Sequence, residues 1–240
     1  MGNAPSLNKG TLIYFDIRGR AEPIRLLLAV AEVEYEEQPV DLSTKALAGT
    51  EQLPFGQWPV WKENGRYLCQ MDAICRYIGR KIGWYEFEDE WDSSKVDEIL
   101  IGVESLRVKY LSLIYQSAFD EAAIEDYKKL HVLPESVSVR NGGAHLKYLE
   151  NYFTTHREQW VSGTDGQWVA ATEAPTIADV QVFDIFDLHL TLFENRGGID
   201  LKEMYPKLYE HHEAFASIPA IAKYLASPKR RAKINNNGRC

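Results

Sequence analysis

The chain has 240 residues, enough for one large or two small domains with a sizeable core. Its composition, 45% hydrophobic and 26% charged, excludes collagen-like, low-complexity and disordered proteins. The 27 Lys and Arg against 35 Asp and Glu give a net charge of −8, so we expect no general nucleic-acid-binding surface. The one concentrated basic run is Lys229–Lys233.

The Cys residues and the apolar runs indicate where the protein is found. Three Cys, without a secretory leader, predict a reducing, cytoplasmic location. Neither Cys nor His residues show the spacing of a metal site, so we expect no metal. The longest apolar run, Leu26–Ala31, is far shorter than the ~20 residues of a membrane span. Met1–Ser6 matches the loose N-myristoylation pattern, but we interpret it as an ordinary terminal segment.

The first part of the chain alternates between strand and helix patterns. Thr11–Phe15 is β-branched and aromatic and predicts a buried strand, and Ala21–Ala31 follows as a helix with Pro23 in its first turn. Tyr35–Leu42 predicts a second strand.

A hairpin and a helix complete this part. The pair Asn64-Gly65 between two short apolar runs is typical of a β-hairpin. A helix over 72–82 then ends at Gly83. The order β-α-β, then β-β-α, predicts a thioredoxin-like α/β domain over residues 10–84, without the CxxC motif of a redox thioredoxin.

After an acidic and aromatic linker over 85–94, residues 95–240 predict an all-α domain. Pro134 and the pair Gly142-Gly143 predict a loop over 130–143. The predicted helices span 95–117, 144–156, 177–193, 205–216 and 219–226. Thr176 and Asp179 form a capping box at the start of the helix over 177–193, which is apolar on most sides and so predicted to be central and buried.

Four motifs together resemble the cytosolic glutathione transferases. They are Tyr14–Glu22, Pro54–Pro59, Gln70–Ile74 and Thr176–Asp179, in the family's order and on the expected elements. The first half is similar to both sigma and pi classes, whereas Glu104–Tyr115 and Ile234–Gly238 look pi-like. The resemblance implies a thioredoxin-like N-terminal domain, an all-α C-terminal domain, glutathione as co-substrate, a small hydrophobic electrophile and detoxification.

The resemblance also gives Tyr14 a catalytic role. A free thiol has a pKa near 8.5 and is mostly protonated at neutral pH. A hydroxyl aimed at the sulfur stabilises the thiolate by hydrogen bonding. A lone Tyr on a strand is most often a core residue, but Tyr14 lies just before the Ile17–Gly19 turn, where the family places its hydroxyl donor.

Further residues match the family's glutathione site. The resemblance implies a cis peptide bond before Pro59 and a helix start after Gln70 whose N–H groups suit a carboxylate. The implied glutathione contacts come from Arg20, Lys45, Gln57, Trp58, Gln70, Met71 and Glu104, the last across a dimer.

The same site departs from the family pattern. Met71 replaces a Ser whose hydroxyl binds the carboxylate, and Thr44 or Ala46 and Thr50 fall where the family has Trp and Lys. Lys45 is the nearby cation that could substitute, and Ser105 takes the place of the pi-like acid beside Glu104. Losing two charge-assisted bonds of ~1.5–3 kcal/mol each would weaken glutathione binding by orders of magnitude.

The electrophile pocket and the dimer contact are assigned in the same way. Phe15, Ile17, Leu111 and Tyr115 match the pi-like lining, and Phe55 resembles the aromatic residue that locks one subunit into the other. Two alternatives stay open beside the transferase: a glutathione-dependent isomerase, and a non-catalytic ligand-binding or crystallin-like relative.

Overall fold

The computed structural model describes residues 9–40, 47–85, 87–156, 158, 166–194, 196 and 198–239. The chain divides into two compact units. The first comprises Met1–Glu86 with Ile218–Gly238, and the second comprises Phe87–Ser217 with Arg239–Cys240. Residues 218–238 thus belong to the first unit, whereas the sequence placed them in the all-α domain predicted over 95–240.

A four-stranded mixed sheet forms the centre of the first unit. Its strands are β1 (Thr11–Tyr14), β2 (Glu36–Pro39), β3 (Val60–Glu63) and β4 (Arg66–Cys69), in the order β2-β1-β3-β4. β1 runs parallel to β2 and antiparallel to β3, and β3 is antiparallel to β4. These directions agree with the thioredoxin-like plan. Asn64 and Gly65 both have positive φ, 51° and 74°, as the predicted hairpin turn requires.

The helices described in the first unit are α1 (Glu22–Val30), α2 (Met71–Ile82) and α9 (Pro219–Leu225). α2 packs against β3 and β4, and α1 packs against both α2 and α9. Ala21, predicted as helical, belongs instead to a short 3₁₀ turn over Gly19–Ala21, and Pro23 lies in the first turn of α1. Gly83 ends α2 in the left-handed conformation, as predicted.

The segment after α9 explains why residues 218–238 belong to the first unit. α9 packs against α1, and the hydroxyl of Tyr224 donates to the buried carboxylate of Glu22 at 3.0 Å. Further on, the carbonyls of Lys233 and Ile234 accept the backbone N–H groups of Arg18 and Gly19. The predicted all-helical domain therefore gives its last segment to the α/β unit.

The second unit is helical throughout its regular elements. They are α3 (Glu90–Tyr115), α4 (Glu121–His131), α5 (Leu146–Tyr152), α6 (Ile177–Glu194), α7 (Leu201–Met204) and α8 (Pro206–Ala216). α6 is buried over most of its length, as its apolar sequence predicts, and packs against α3 and α8.

Several predicted boundaries in this unit were wrong. α3 begins at Glu90 rather than 95, because Asp89 caps it by accepting the N–H of Trp91 at 2.7 Å. Residues 90–94 of the predicted linker are therefore helical. α4 was not singled out, although Asp120 caps it by accepting the N–H of Ala123 at 2.9 Å.

The capping box of α6 differs in detail from the prediction. The carboxylate of Asp179 accepts the N–H of Thr176 at 2.7 Å, as expected. The Thr176 hydroxyl accepts the N–H of Ala178 rather than that of Asp179, and it donates to the Asp179 carboxylate at 3.0 Å. The Asp179 side chain is shorter than that of the usual Glu, so its carboxylate lies close enough to accept a hydrogen bond from the Thr176 hydroxyl.

No helix among the residues that the structure describes is long and apolar enough to cross a membrane. The myristoylation-like pattern over Met1–Ser6 lies outside those residues.

Candidate functional site

Three segments singled out from the sequence meet at one end of the sheet of the first unit. The strand register pairs Ile13 with Val60, and Val60 with Cys69. Tyr14, Pro59 and Gln70 each lie one residue beyond this row, on the same side. Because neighbouring strands are about 4.8 Å apart, the end of β1, the loop before β3 and the start of α2 are adjacent.

Tyr14 is the last residue of β1 and is half-buried. Its hydroxyl oxygen accepts the backbone N–H of Arg20 at 2.9 Å. A hydrogen bond donated to a phenol oxygen polarises its O–H, which makes that group a stronger donor. The ring of Tyr14 also meets that of Phe15 edge to face, with centroids 5.5 Å apart.

Gly19 makes the close approach between Tyr14 and the following turn possible. Its φ is +42°, and a Cβ at this position would lie 2.5 Å from the Tyr14 hydroxyl oxygen. Any other residue would push the hydroxyl away and strain the backbone. The sequence analysis named Gly19 only as part of the Ile17–Gly19 turn.

A buried Arg that the sequence analysis missed holds the same turn. Arg25 of α1 is fully buried, and its guanidinium donates to the carbonyl oxygens of Ile17 at 2.8 Å and Arg18 at 3.3 Å. It also pairs with Glu37 at 2.9 Å. Burial alone raises the pKa of Glu37, but the hydrogen bonds and charges of Arg25 and then Arg231 lower it below its usual value. An Arg among the apolar residues of α1 was the available signal.

The start of α2 has unusual backbone geometry. Gln70, the N-cap residue, has φ +72°, and its exposed side chain makes no capping hydrogen bond. A non-Gly residue in this region costs ~1–3 kcal/mol, and such strain concentrates at functional sites. The following side chain, Met71, is 4% exposed and belongs to the core.

The loop before β3 contains two further residues of the predicted site. The Trp58–Pro59 peptide bond is cis, as the resemblance implied. Trp58 is half-buried and meets Phe15 edge to face, with ring centroids 5.7 Å apart. Gln57 is exposed. Phe15 therefore lies between Tyr14 and Trp58 in a row of aromatic rings.

The structure describes some of the residues singled out between β2 and β3. Lys45 and Thr44 lie outside the described residues. Thr50 is exposed, and its hydroxyl donates to the carbonyl of Leu47 at 2.6 Å within its own turn. Phe55, the predicted dimer contact, has 70% of its surface exposed.

In the second unit, the predicted residues all lie on α3. Leu111 is half-buried, and Tyr115, the last residue of the helix, is 45% exposed. The two are four residues apart and thus neighbours on one face. Glu104 lies 3.8 Å from the buried Arg107, and the Ser105 hydroxyl donates to the carbonyl of Ile101 at 3.0 Å.

Within the described ranges, no group of three or more His, Cys, Asp or Glu side chains is arranged to hold a metal ion. Burial raises the pKa of the Cys69 thiol, the opposite of what a nucleophilic thiol needs.

The first unit combines a thioredoxin-like sheet with Tyr14 at the end of β1 and a cis peptide bond at Trp58–Pro59 before β3, and helices α3 to α8 follow the sheet in the chain. Comparison with known proteins identifies the family. The model "Glutathione S-transferase, N-terminal domain" matches residues 10–80, and "Glutathione S-transferase, C-terminal domain" matches residues 128–228. The chain belongs to the glutathione S-transferase family. The family, fold class and enzyme class predicted from the sequence are confirmed.

Individual relatives agree. The chain is 31% identical to Glutathione S-transferase P of Bos taurus, over 95% of this chain and 98% of the relative. It is 33% identical to Glutathione S-transferase P of Caenorhabditis elegans, over 93% and 94%. A pi-class glutathione S-transferase of Onchocerca volvulus matches the fold with a TM-score of 0.75 at 23% identity, covering 97% of this chain and 100% of that one.

Proposed function

We propose that this protein conjugates the thiolate of glutathione to small hydrophobic electrophiles and that the Tyr14 hydroxyl activates the thiol. The observation that carries the proposal is the bond from the Arg20 N–H to the Tyr14 hydroxyl oxygen, at 2.9 Å over a glycine that leaves room for it. This contact restrains the direction of the Tyr14 hydroxyl at the end of the sheet.

The chemistry needs only one well-directed donor. A hydrogen bond to a charged group contributes about 1.5–3 kcal/mol, which corresponds to lowering a thiol pKa by about 1–2 units. Applied to a thiol of pKa near 8.5, that shift leaves about a quarter to three quarters of it ionised at pH 7. The thiolate then attacks the electrophilic carbon, forming a carbon–sulfur bond while the leaving group departs or the electrophile takes up a proton.

Glutathione would be held by groups around the same sheet end. Backbone N–H groups at the start of α2, including that of Met71, lie at the positive end of the dipole of this 12-residue helix and suit the γ-glutamyl carboxylate. The exposed side chain of Gln70 would add a polar contact. The main chain of Trp58 would pair with the peptide as an added strand does.

The remaining glutathione contacts rest on the family resemblance. Arg20, Gln57 and Lys45 would bind the rest of the tripeptide. Glu104 would reach across a homodimer joined through Phe55, whose ring is 70% exposed.

Each predicted electrophile contact rests on the family resemblance. Phe15 in the first unit, and Leu111 and Tyr115 on α3, offer apolar or aromatic surface, which suits soft, hydrophobic substrates. Ile17 is only 3% exposed and belongs to the core of the first unit. The Tyr115 phenol could also donate a proton to the bound electrophile. A cytoplasmic detoxification role accords with such substrates.

A second candidate, a glutathione transferase relative that binds ligands without turnover, is favoured by one observation. Met71 is buried in the core and offers no hydroxyl to a carboxylate. If the backbone N–H groups cannot compensate, glutathione binding is too weak for catalysis.

The test is conjugation of a chloronitrobenzene with glutathione by the wild type, Tyr14→Phe and Tyr209→Phe, together with calorimetry of glutathione binding. We expect wild-type turnover, with roughly a hundredfold loss in Tyr14→Phe because one donor to the developing charge is removed. Tyr209→Phe, which removes a hydroxyl from α8, should match the wild type.

If the wild type shows no glutathione binding and no turnover, the transferase proposal is rejected. Binding without turnover would favour the ligand-binding relative. If turnover survives in Tyr14→Phe, only the role of Tyr14 is rejected, and the transferase activity stands.

A further inference from the structure

The basic run Lys229–Lys233 has no part in the chemistry above, yet it begins a segment that contacts the Tyr14 turn. We call residues 231–234 the C-terminal strap. The backbone N–H groups of Arg18 and Gly19 donate to the carbonyls of Lys233 at 2.8 Å and Ile234 at 3.1 Å. These two donors immediately precede Arg20, whose own N–H donates to the Tyr14 hydroxyl.

Side chains reinforce this contact. The Arg18 Nε donates to the carbonyl of Arg231 at 2.9 Å. The Arg231 guanidinium makes ion pairs with Asp16 of the turn at 3.0 Å and with Glu37 of β2 at 2.7 Å. Ile234 is buried and anchors the strap.

The contacts differ in weight. Asp16 is 79% exposed, so its pair with Arg231 contributes little by itself. Glu37 is 21% exposed and is also bound by Arg25, which grips the carbonyls of Ile17 and Arg18. Arg231 and Arg25 therefore meet on one carboxylate, and both hold the turn.

We propose that Arg231 is a positioning residue for thiol activation: it fixes the turn over residues 16–19 and, through it, the Arg20 N–H that directs the Tyr14 hydroxyl. This inference rests on the proposed function of Tyr14. Arg231 acts through the main-chain hydrogen bonds of the strap and through the Glu37 carboxylate that it shares with Arg25. The role therefore does not require Arg231 to contact a substrate.

The test measures the pKa of the glutathione thiol bound to the full-length protein, from the ultraviolet absorbance of the thiolate against pH, together with kcat and KM. In Arg231→Ala we expect a higher thiol pKa and a kcat/KM lowered roughly three- to tenfold at a pH well below the thiol pKa, since a rise of half to one pKa unit lowers the thiolate fraction there by that factor. Arg231→Lys should recover part of both, because a Lys can pair with one acid at a time.

Lys229→Ala is the matched control. It removes a cation from the same basic run, but Lys229 is exposed and precedes the strap, so thiol pKa and kcat/KM should equal those of the wild type. Arg18→Ala is a second variant, which removes the Nε bond to the Arg231 carbonyl from the other side. It should shift the thiol pKa in the same direction and provides the test if Arg231→Ala does not fold.

The outcomes separate the two hypotheses. A raised thiol pKa in Arg231→Ala and Arg18→Ala, with partial recovery in Arg231→Lys, supports the inference. Wild-type thiol pKa in both alanine variants, while Tyr14→Phe raises it, overturns the inference and leaves the proposed function intact. An unchanged thiol pKa in Tyr14→Phe overturns the proposed role of Tyr14, and with it this inference, whether or not the protein is a transferase. A loss of melting temperature with no shift in thiol pKa makes the strap purely structural and also overturns the inference.

Discussion

The guanidinium of Arg107 on α3 lies 2.7 Å from the carboxylate of Asp184 on α6, and both side chains are buried. A second nitrogen of Arg107 donates to the Gln181 side chain at 3.0 Å. One residue of α3 thus binds two positions of α6 that lie three apart and so on one face of the helix. This fixes how the two longest helices of the second unit are aligned.

Arg107→Ala should therefore destabilise the protein by about 3–5 kcal/mol, because it leaves the Asp184 charge buried without its cation. Urea denaturation measures the free energy of unfolding. Lys207→Ala is the control, since its pair with Glu210 is exposed on both sides and should contribute less than about 1 kcal/mol. Equal effects of the two variants would contradict the importance given to the buried pair.

Gly19→Ala should reduce activity more than stability. The added methyl would lie 2.5 Å from the Tyr14 hydroxyl oxygen, so the hydroxyl must move, and φ +42° adds strain of about 1–2 kcal/mol. Gly83→Ala is matched to it: φ is +74°, but nothing lies within 4 Å of the new Cβ. Conjugation rates and melting temperatures should show similar destabilisation in both variants, with a large activity loss in Gly19→Ala alone. If Gly83→Ala lost as much activity, the effect would be one of strain only.

Stability should fall as the pH decreases from about 6.5 to about 4, because two buried His residues are held neutral. Burial lowers the pKa of His145 and His189 from 6.5 to about 4. The folded state then binds fewer protons than the unfolded state in this window, so protonation favours unfolding. Urea midpoints measured across the window would detect the loss, up to roughly 3 kcal/mol for each His.

His145→Asn provides the specific check. His145 caps α5 by accepting the N–H of Lys147 at 3.0 Å, and an Asn can supply the same acceptor without titrating. The variant should lose part of the pH dependence. A slope identical to that of the wild type would assign the effect to other groups.

Gln70→Gly should increase stability and weaken glutathione binding. Gly adopts φ +72° without strain, which should add about 1 kcal/mol to the free energy of unfolding. The same change removes the side chain proposed to bind glutathione. Gln70→Ala, which loses the side chain but keeps the strain, should weaken binding equally without the gain in stability. Calorimetry and thermal unfolding of the three proteins would show both effects, and unchanged affinity in both variants would remove Gln70 from the site.

Local patterns in the sequence predicted the elements well where the signal was local. The Asn64-Gly65 turn, the Gly83 cap and the apolar α6 all depend on neighbouring residues, and all agree with the structure. Boundaries were wrong where a cap lay outside the expected position. Asp89 extended α3 by a turn, and Asp120 began a helix that was not singled out although its buried residues Ile124, Tyr127 and His131 have helical spacing.

Contacts between distant residues could not be predicted in this way. In the sequence, Arg25 is a cation that interrupts an apolar helix. Its role is to bind carbonyls and a carboxylate that only the fold brings to it. The same is true of Gly19, where the clash that excludes a side chain comes from the tertiary position of Tyr14. Tyr14 itself was singled out through the family resemblance, since nothing in its immediate neighbours distinguishes it from a core aromatic.

The strap also has a consequence for how the protein is made. Arg18 and Arg231 are 213 positions apart, so the turn beside Tyr14 lacks its hydrogen bonds to the strap until the ribosome has translated that segment. The sheet can form early from local hairpin and β-α-β contacts, but the first unit is completed last. Nascent chains that stall late in synthesis would therefore carry a folded sheet with an unfinished Tyr14 turn.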